Sequence, residues 1–527
     1  MNTFVQRHVE KVMGWMSGFD RLWFRGTLRL VASVSGLVSY MGYKGGGAVM
    51  RKDFSAWSQG LTEQVKQGAR EAMAAAGRPV KYLGRGHVDK EALARTIAAA
   101  DGIRQGPICL LETLEVSHSY ELHRDKHKQA LVLQPKQRLC LHQYVYGIDP
   151  EVGLSHVRMQ SWLPFNVTIS MNGREWLCRS LTQAGVPYLR RDNCLVWVKD
   201  MDKAKELLGK QLRTPWEQLL DRLVGQANPV LPTMLPLDGE PLERYWSLQQ
   251  SEWATDILFN SARYLDRAFP MWARQAMLTG GSTDVLKFLG SHVNGDGSVP
   301  KNCRKEVVSD LKLREEGMRV KHQVGKNSVK MYNKQGSVLR TETTIHDPRG
   351  LKAYRGTEKN PQDKKWRKVR KGIADLRRVA QIAEKCNQRY LSFLSKLEAD
   401  EKLGEVLAPV SRRIKIKGKT HRGLRVMERD DGQLLTAVAR GEWSIKGFTN
   451  GQLRELLHPG QAKLEVREQQ RQRGHMSRQL GLLRAHGIIR KIQGSRRWML
   501  TEKGQRVVTL VAAAKHANAN ELLRKAA

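Results

Sequence analysis

The chain has 527 residues and a formal net charge of +38, with 90 Lys and Arg against 52 Asp and Glu. That imbalance points to a polyanionic partner bound with steep salt dependence. It comes without the roughly 18 consecutive apolar residues of a membrane span, without a cleavable apolar signal in Met1 to Glu10, and without a CxxC pair among the six cysteines that would suggest a zinc ribbon or disulfide framework. A reducing cytoplasm with nucleoid association is the expected compartment, and the length predicts several domains.

Residues 1–215 alternate between strand and helix patterns and predict an α/β domain with a mixed sheet. Leu22 to Val34 reads as strand plus turn, and Tyr43 to Gly47 as a flexible loop. Phe54 to Ala76 reads as a helix stopped by Gly77, Pro79 to Leu83 as a strand, Lys90 to Ala100 as a helix, and Pro107 to Leu114 as an apolar strand. Arg138 to Tyr146 and Ser155 to Ser170 read as strands joined at Gly147 to Pro150. Arg174 to Ala184 is a predicted helix, Cys194 to Val198 a strand, and Met201 the start of another helix.

Residues 216–300 combine a Pro-rich linker (Pro229, Pro232, Pro236 and Pro241, after Pro215) with a predicted helical segment from 246 and a Gly-rich loop from Ser291 to Pro300. Residues 301–400 read as a β-hairpin region followed by a basic helix. Arg319 to Val324 is one strand; Ser328 to Tyr332 and Ser337 to Ile345 flank the turn Asn333 to Gly336. Lys330, Tyr332 and Lys334 alternate, as do Arg340 and Glu342, which places cationic and acidic groups on one pleated face. Leu351 to Ala380 holds eleven Lys or Arg and three Asp or Glu. A long helix is expected from Lys364 onward, with Val369, Ile373, Leu376, Ala380, Ala383 and Tyr390 as its apolar stripe. Its basic side either crosses nucleic-acid backbone or is a solvated face joining domains. Lys330, Lys334, Lys368, Arg370 and Lys371 are the candidate contacts here. Residues 401–430 read as a basic linker.

Residues 431–527 have the layout of a winged helix-turn-helix. A helix over Leu434 to Glu442 precedes an extended piece, Ile445 to Phe448. Thr449 and Asn450 cap a second helix that ends near His458, and a third ends at His486-Gly487. Ile488 to Ile492 and Arg496 to Leu500 form a hairpin about Gln493 to Ser495, and Thr501 to Gly504 opens a last helix. On the third helix Met476, Leu480, Leu483 and Gly487 share one face; Arg467, Arg471, Gly474 and Arg478 share the opposite one. One face can pack while the other enters a groove, the alternative being a solvated basic helix. Lys491, Arg496 and Arg497 cluster where a wing meets phosphates. Leu482 to Ile489 and Leu500 to Gly504 resemble the MarR-type winged-helix regulators, over about the last fifth of the chain. The resemblance implies duplex-DNA binding.

Metal-dependent nucleases gather carboxylates on a sheet to hold divalent ions. Asp20, Glu115 (with Glu112 before it) and Asp256 follow the loose order of an RNase H-like site, with Asp20 and Glu115 as candidate metal ligands and Mg2+ as the candidate cofactor. Asp20 paired with an arginine, and Glu115 opening a surface loop, are the alternatives. His118, His123 and His127 lie in a polar stretch that reads as a solvated loop. Lys330 to Lys334 with Leu339 to Glu342 resembles a strand pair of replication initiators, without their His pair. More broadly, the chain is similar to bacterial mobile-element-type proteins in which a basic α/β region precedes a hairpin and a terminal winged helix. A Walker loop, a Rossmann fingerprint and a nucleophile elbow are all missing. The expectation is a nucleic-acid-binding protein, DNA favoured, of a mobile-element or DNA-processing kind. A MarR-like regulator or a partner of structured RNA are the alternatives, and whether the chain cleaves, and in what oligomeric state it acts, stay open.

Overall fold

The structure, a computed structural model, describes the chain except residues 1–2, 44–47, 128, 292–305, 315–316, 358–359, 398–402, 417, 441–442, 444–446, 461–464 and 517–527. The expected loops at 44–47 and 292–300 and the extended piece at 445–446 lie outside the described residues. The protein is mixed α/β and built on a large mixed sheet. Among the described residues no helix is long and apolar enough to cross a membrane.

In chain order, β1 is Val12–Leu28. Helix α1 (Phe54–Ala75) precedes β2 (Val80–Gly84), and α2 (Lys90–Ala100) precedes β3 (Gly106–Asp125). Next come β4 (Ala130–Asp149), β5 (Gly153–Gln160), β6 (Val167–Asn172), α3 (Gly173–Gln183), β7 (Tyr188–Arg191), β8 (Cys194–Val198), α4 (Met201–Gln211) and α5 (Trp216–Ala227). Strand β9 is Arg244–Phe259; the helices Ala262–Thr279 and Ser282–Phe288 come after it, as expected for the later part of that segment, and then β10 (Val307–Arg314), β11 (Gly317–Val324), β12 (Asn327–Lys334), β13 (Val338–Ile345), β14 (Lys352–Arg355), β15 (Lys365–Lys368) and α6 (Leu376–Leu397). The C-terminal elements are α7 (Arg429–Val438), α8 (Asn450–Leu457), α9 (Val466–Ala485), β16 (Ile489–Lys491), β17 (Trp498–Leu500) and α10 (Glu502–His516).

These elements form two compact units, each assembled from separated stretches of chain, so their limits do not follow the boundaries that composition suggests. One unit comprises Glu10–Ala262 and Lys334–Asn387. Its sheet runs in the order β13-β9-β1-β6-β5-β4-β3-β2, antiparallel throughout except where β2 pairs parallel with β3. On one face Phe19, Leu22, Phe24, Trp253, Ile345, Leu376, Val379, Ala380 and Ala383 belong to the main core, so the first turns of α6 lie against the central strands. Asn387 ties that face down: its Nδ2 donates to the Trp253 carbonyl at 3.0 Å, and its Oδ1 accepts from Thr343 at 2.7 Å. On the other face a smaller core joins Met16, Leu258 and Val338 to Leu177, Leu181, Leu195 and Leu208 of α3, β8 and α4.

Several sequence expectations fail in this unit: Ser155 to Ser170 splits into β5 and β6, and the stretch expected as linker after Pro215 opens with helix α5. Residues 244–259 form a strand, not a helix: Trp246, Leu248 and Trp253 belong to the main core while Leu258 belongs to the opposite one, so burial on both faces hides the alternation. The helix expected from Lys364 begins only at Leu376, because Lys365–Lys368 pairs with Lys352–Arg355 as a hairpin. A segment so rich in Lys reads as helix by propensity, and pairing with the strand just before it in the chain overrides that.

The other unit comprises Met1–Val9, Arg263–Asn333 and Gln388–Ala527. It contains the antiparallel strands β10, β11 and β12, in that order. Buried His322 on β11 bonds Ser309 at 2.7 Å through Nδ1 and Tyr390 at 3.1 Å through Nε2. The C-terminal segment has its own core, in which Val410, Leu424, Leu434, Val438, Phe448, Leu453, Met476, Leu480, Leu483, Ile488, Val508 and Val511 pack together. Val410 and Leu424 therefore make the stretch expected as linker part of a folded core.

Candidate functional site

Three adjacent strands bring charged side chains to one face of the sheet. The register sets Asp256 opposite Arg340, Ala254 opposite Glu342 and Glu252 opposite Thr344. Residues two apart on a strand share a face, so Glu252, Asp256, Arg340 and Glu342 project together. Strand β1 adds Asp20 through a bulge: Phe19 pairs with Trp253 and Arg21 with Glu252, which leaves Asp20 as the extra residue. A bulge re-aims side chains. Here it keeps both Phe19 and Leu22 in the main core while Asp20 joins the charged group.

Arg340 is the hub and is 1 % exposed. Its Nε donates to Asp256 Oδ1 at 2.6 Å and its Nη2 to Oδ2 at 3.0 Å. Its Nη1 donates to Asp20 Oδ1 at 3.0 Å, and Asn193 Nδ2 donates to that same oxygen at 2.9 Å. Arg174 lies 3.1 Å from Asp256 and donates to the Ala254 carbonyl at 2.8 Å. Burial alone would raise the pKa of Asp256, but the Arg174 and Arg340 guanidiniums outweigh it and hold the carboxyl below its usual range. For Arg340 burial again opposes charge, and Asp256 with Asp20 reverses it and raises the pKa. Asp256 is thus a buried anchor for Arg340 rather than a group open to a ligand.

Beyond that anchor, one oxygen each from Asp20, Glu252 and Glu342 lies within 4.8 Å of the other two. Asp20 and Glu342 are buried and Glu252 is half-buried. An all-carboxylate donor set suits a hard divalent cation such as Mg2+ or Mn2+. Gln250 Nε2 donates to Glu252 at 2.7 Å, which orients that carboxylate.

Of the predicted carboxylates, the structure brings Asp20 and Asp256 together and leaves Glu115 apart. Glu115 lies on β3, separated from β1 by β6, β5 and β4. At about 4.8 Å per strand that is roughly 19 Å, so Asp20 and Glu115 cannot share an ion. Glu115 instead accepts from Tyr144 Oη at 2.6 Å, Arg158 Nη2 at 2.7 Å and Thr113 at 2.9 Å. Burial works against its charge, yet these partners bring its pKa down to about 2. Glu112 is held by both Arg70 Nε and Nη2, at 3.0 and 2.9 Å. His118 and His123 lie within strand β3 rather than in a loop.

The predicted basic contacts divide in the same way. Lys334 is buried, 3.7 Å from Asp192, and is unavailable to a polyanion. Lys330 and Lys371 are half-buried, while Lys368 and Arg370 are exposed. In the C-terminal segment, Thr449 caps α8 in a reciprocal box with Gln452. Asn450 Nδ2 donates to Ser477 Oγ at 2.9 Å, which ties the start of α8 to α9. Met476, Leu480 and Leu483 turn α9 inward, and Arg467, Arg471 and Arg478 stay exposed. After Gly487, whose φ of +72 ends the helix, β16 and β17 pair, and an isolated bridge joins Phe448 to Trp498. Lys491 and Arg496 are exposed. Arg497 is half-buried: it donates to the Gly447 carbonyl at 3.0 Å and to Gln452 at 3.3 Å, so it fastens the hairpin to α8 and is not a free tip.

Glu252, Glu342 and the central role of Arg340 are what sequence reasoning missed. The alternation of Arg340 with Glu342 signals their common face; nothing signals Glu252 once 246–300 is taken as helix. No protein-family model, curated protein or solved structure matches this chain.

Proposed function

We propose that the chain is a DNA-binding protein of a DNA-processing, mobile-element kind, whose C-terminal segment is a winged helix with α9 as the groove-entering element. The observation that carries this reading is the element order: α7, the Phe448 bridge, α8, α9, then the β16–β17 hairpin, with Arg467, Arg471 and Arg478 on the exposed side of α9. A helix that packs by one side and offers guanidiniums on the other meets the demands of major-groove entry, and Lys491 and Arg496 are positioned for phosphates. The net charge of +38 supports a polyanionic partner. The test is a shift assay on the full chain at fixed salt with duplex DNA. Replacing Arg471 and Arg478 by Ala weakens binding and relaxes sequence preference, each lost base contact being worth about 1–3 kcal/mol. Unchanged binding would reject the groove assignment.

A second activity follows from the convergence of Asp20, Glu252 and Glu342 within 4.8 Å. We infer that these residues hold a divalent ion for phosphodiester cleavage. Such an ion supplies Lewis-acid polarisation and a bound water of lowered pKa. The protein's own part is to converge three oxygens, with Arg340 and Asn193 fixing the Asp20 carboxylate through its Oδ1. Asp20→Asn abolishes metal-dependent cleavage and leaves duplex binding intact; cleavage at the wild-type rate would place the chemistry elsewhere.

A further inference from the structure

We propose that the hairpin β14–β15 is a stacking platform for single-stranded DNA. Its register pairs Lys352 with Lys368, Ala353 with Arg367, Tyr354 with Trp366 and Arg355 with Lys365. Directly opposed residues share a face, so Lys352, Tyr354, Trp366 and Lys368 form one side of the ribbon. The other side is engaged within the protein. Ala353 packs against the main core, Arg355 Nη2 lies 3.4 Å from Asp375, and Arg367 Nη2 donates to Asp363 at 2.9 Å. Asp363 and Asp375 are thereby tied to arginines of that second face.

The first side is open to solvent. Tyr354 is 61 % exposed and Trp366 68 %, with ring centroids 5.8 Å apart and planes inclined at 58°. A cross-strand aromatic pair helps to hold a ribbon together. That role does not require both rings to face water between two lysines. The inclined pair offers an outer π-surface rather than a slot. Lys352 and Lys368 flank it, and exposed Lys364 and Arg370 lie nearby in sequence, while Lys365, on the other side, pairs with Asp363. Aromatic rings between cations are the elements with which proteins grip an unpaired strand: a base stacks on the ring and the flanking phosphates meet the lysines. Duplex bases are already stacked on each other and cannot reach the rings, so the occupant is a single strand, as would arise where a DNA-processing protein opens or cuts a duplex. The inference rests on reading the chain as a DNA-binding protein, but not on the C-terminal helix.

The probes are a fluorescein-labelled oligo-dT, the same length of oligo-U, and a labelled duplex, titrated with the full-length chain at fixed salt. Trp366→Ala weakens oligo-dT binding about 5- to 150-fold, the range of one lost stacked base, and leaves duplex affinity unchanged. Trp366→Phe retains most of the oligo-dT affinity, because a ring remains. Lys352→Glu with Lys368→Glu leaves both rings in place, weakens oligo-dT binding and flattens its salt dependence. Trp366→Ala with unaltered oligo-dT binding overturns the platform while leaving the duplex reading standing. Equal losses on oligo-dT and duplex would mean that the hairpin is only structural and would also overturn it. Tighter binding of oligo-U than oligo-dT by the wild type would overturn the assignment to DNA. A wild-type chain that binds neither strand nor duplex refutes the proposed function together with this inference.

Discussion

Arg340→Met is the sharpest perturbation of the carboxylate site. The guanidinium is 1 % exposed and Asp256 is fully buried, while the Asp20 side chain is 8 % exposed. Truncating one partner of such a pair leaves a buried charge uncompensated, which costs about 3–5 kcal/mol. Arg174, 3.1 Å from Asp256, keeps partial neutralisation on one side, so a loss near the lower end, about 3 kcal/mol, is expected. Asp20, Glu252 and Glu342 then face one another without the guanidinium. Urea unfolding of the full chain measures the loss. Adding Asp256→Asn removes the stranded charge and returns part of the stability, so the two substitutions are less than additive. If the carboxylates hold a divalent ion, Mn2+ at a hundred times its dissociation constant stabilises the folded chain by about 2.7 kcal/mol, and Glu342→Gln reduces this gain. A loss under about 1 kcal/mol for Arg340→Met, or no relief from Asp256→Asn, would refute the view of Arg340 as the electrostatic hub.

Gly173→Ala sets a Cβ 2.3 Å from the Phe19 carbonyl oxygen, which is backbone and cannot swing away. It destabilises by about 1–3 kcal/mol and displaces the neighbouring Asp20, whereas Gly209→Ala on α4, with nothing within 4 Å, is neutral or stabilising by up to about 1 kcal/mol. Thermal melts of the two variants make the comparison. Burial lowers the pKa of both His142 and His322 to about 4. Their stabilising contribution is full above about pH 6.5 and declines as pH falls toward 4, because the unfolded chain takes up these protons first; each costs up to about 3 kcal/mol by pH 4. His322→Gln should shallow the pH dependence of unfolding over that window, and an unchanged profile would show that His322 does not contribute. Arg496→Ala weakens duplex binding nearly equally for all sequences and lowers the salt slope by roughly 0.9; altered sequence preference at constant slope would show base reading by the hairpin.

Local signals made much of the fold legible. Phe54 to Ala76, Lys90 to Ala100 and Arg174 to Ala184 carry helical periodicity and have caps or stops, and the structure's helices end within a residue or so of them. The Thr449 cap and the Gly487 stop were readable because capping chemistry is local. Long-range pairing was not. Trp246 to Phe259 is apolar toward two different cores, which removes the alternation that marks a strand. The bulge that turns Asp20 toward Arg340 depends on partners more than two hundred positions away. Asp20 reads as a strand carboxylate, whereas Asp256 sits in a segment that reads as helix, and Glu115 groups with them in the sequence because chain order says nothing about strand order in a sheet.

The reach from Asp20 to Arg340, a separation of 320 residues, has a consequence for biosynthesis. At about 5–20 residues per second, the ribosome makes β1 on the order of tens of seconds before β13. Until β9 and then β13 emerge, β1 lacks its neighbours on that side, and Asp20 lacks first Glu252 and, to the end of the interval, Arg340 and Glu342. A nascent chain therefore cannot gather the acidic centre until β13 has emerged.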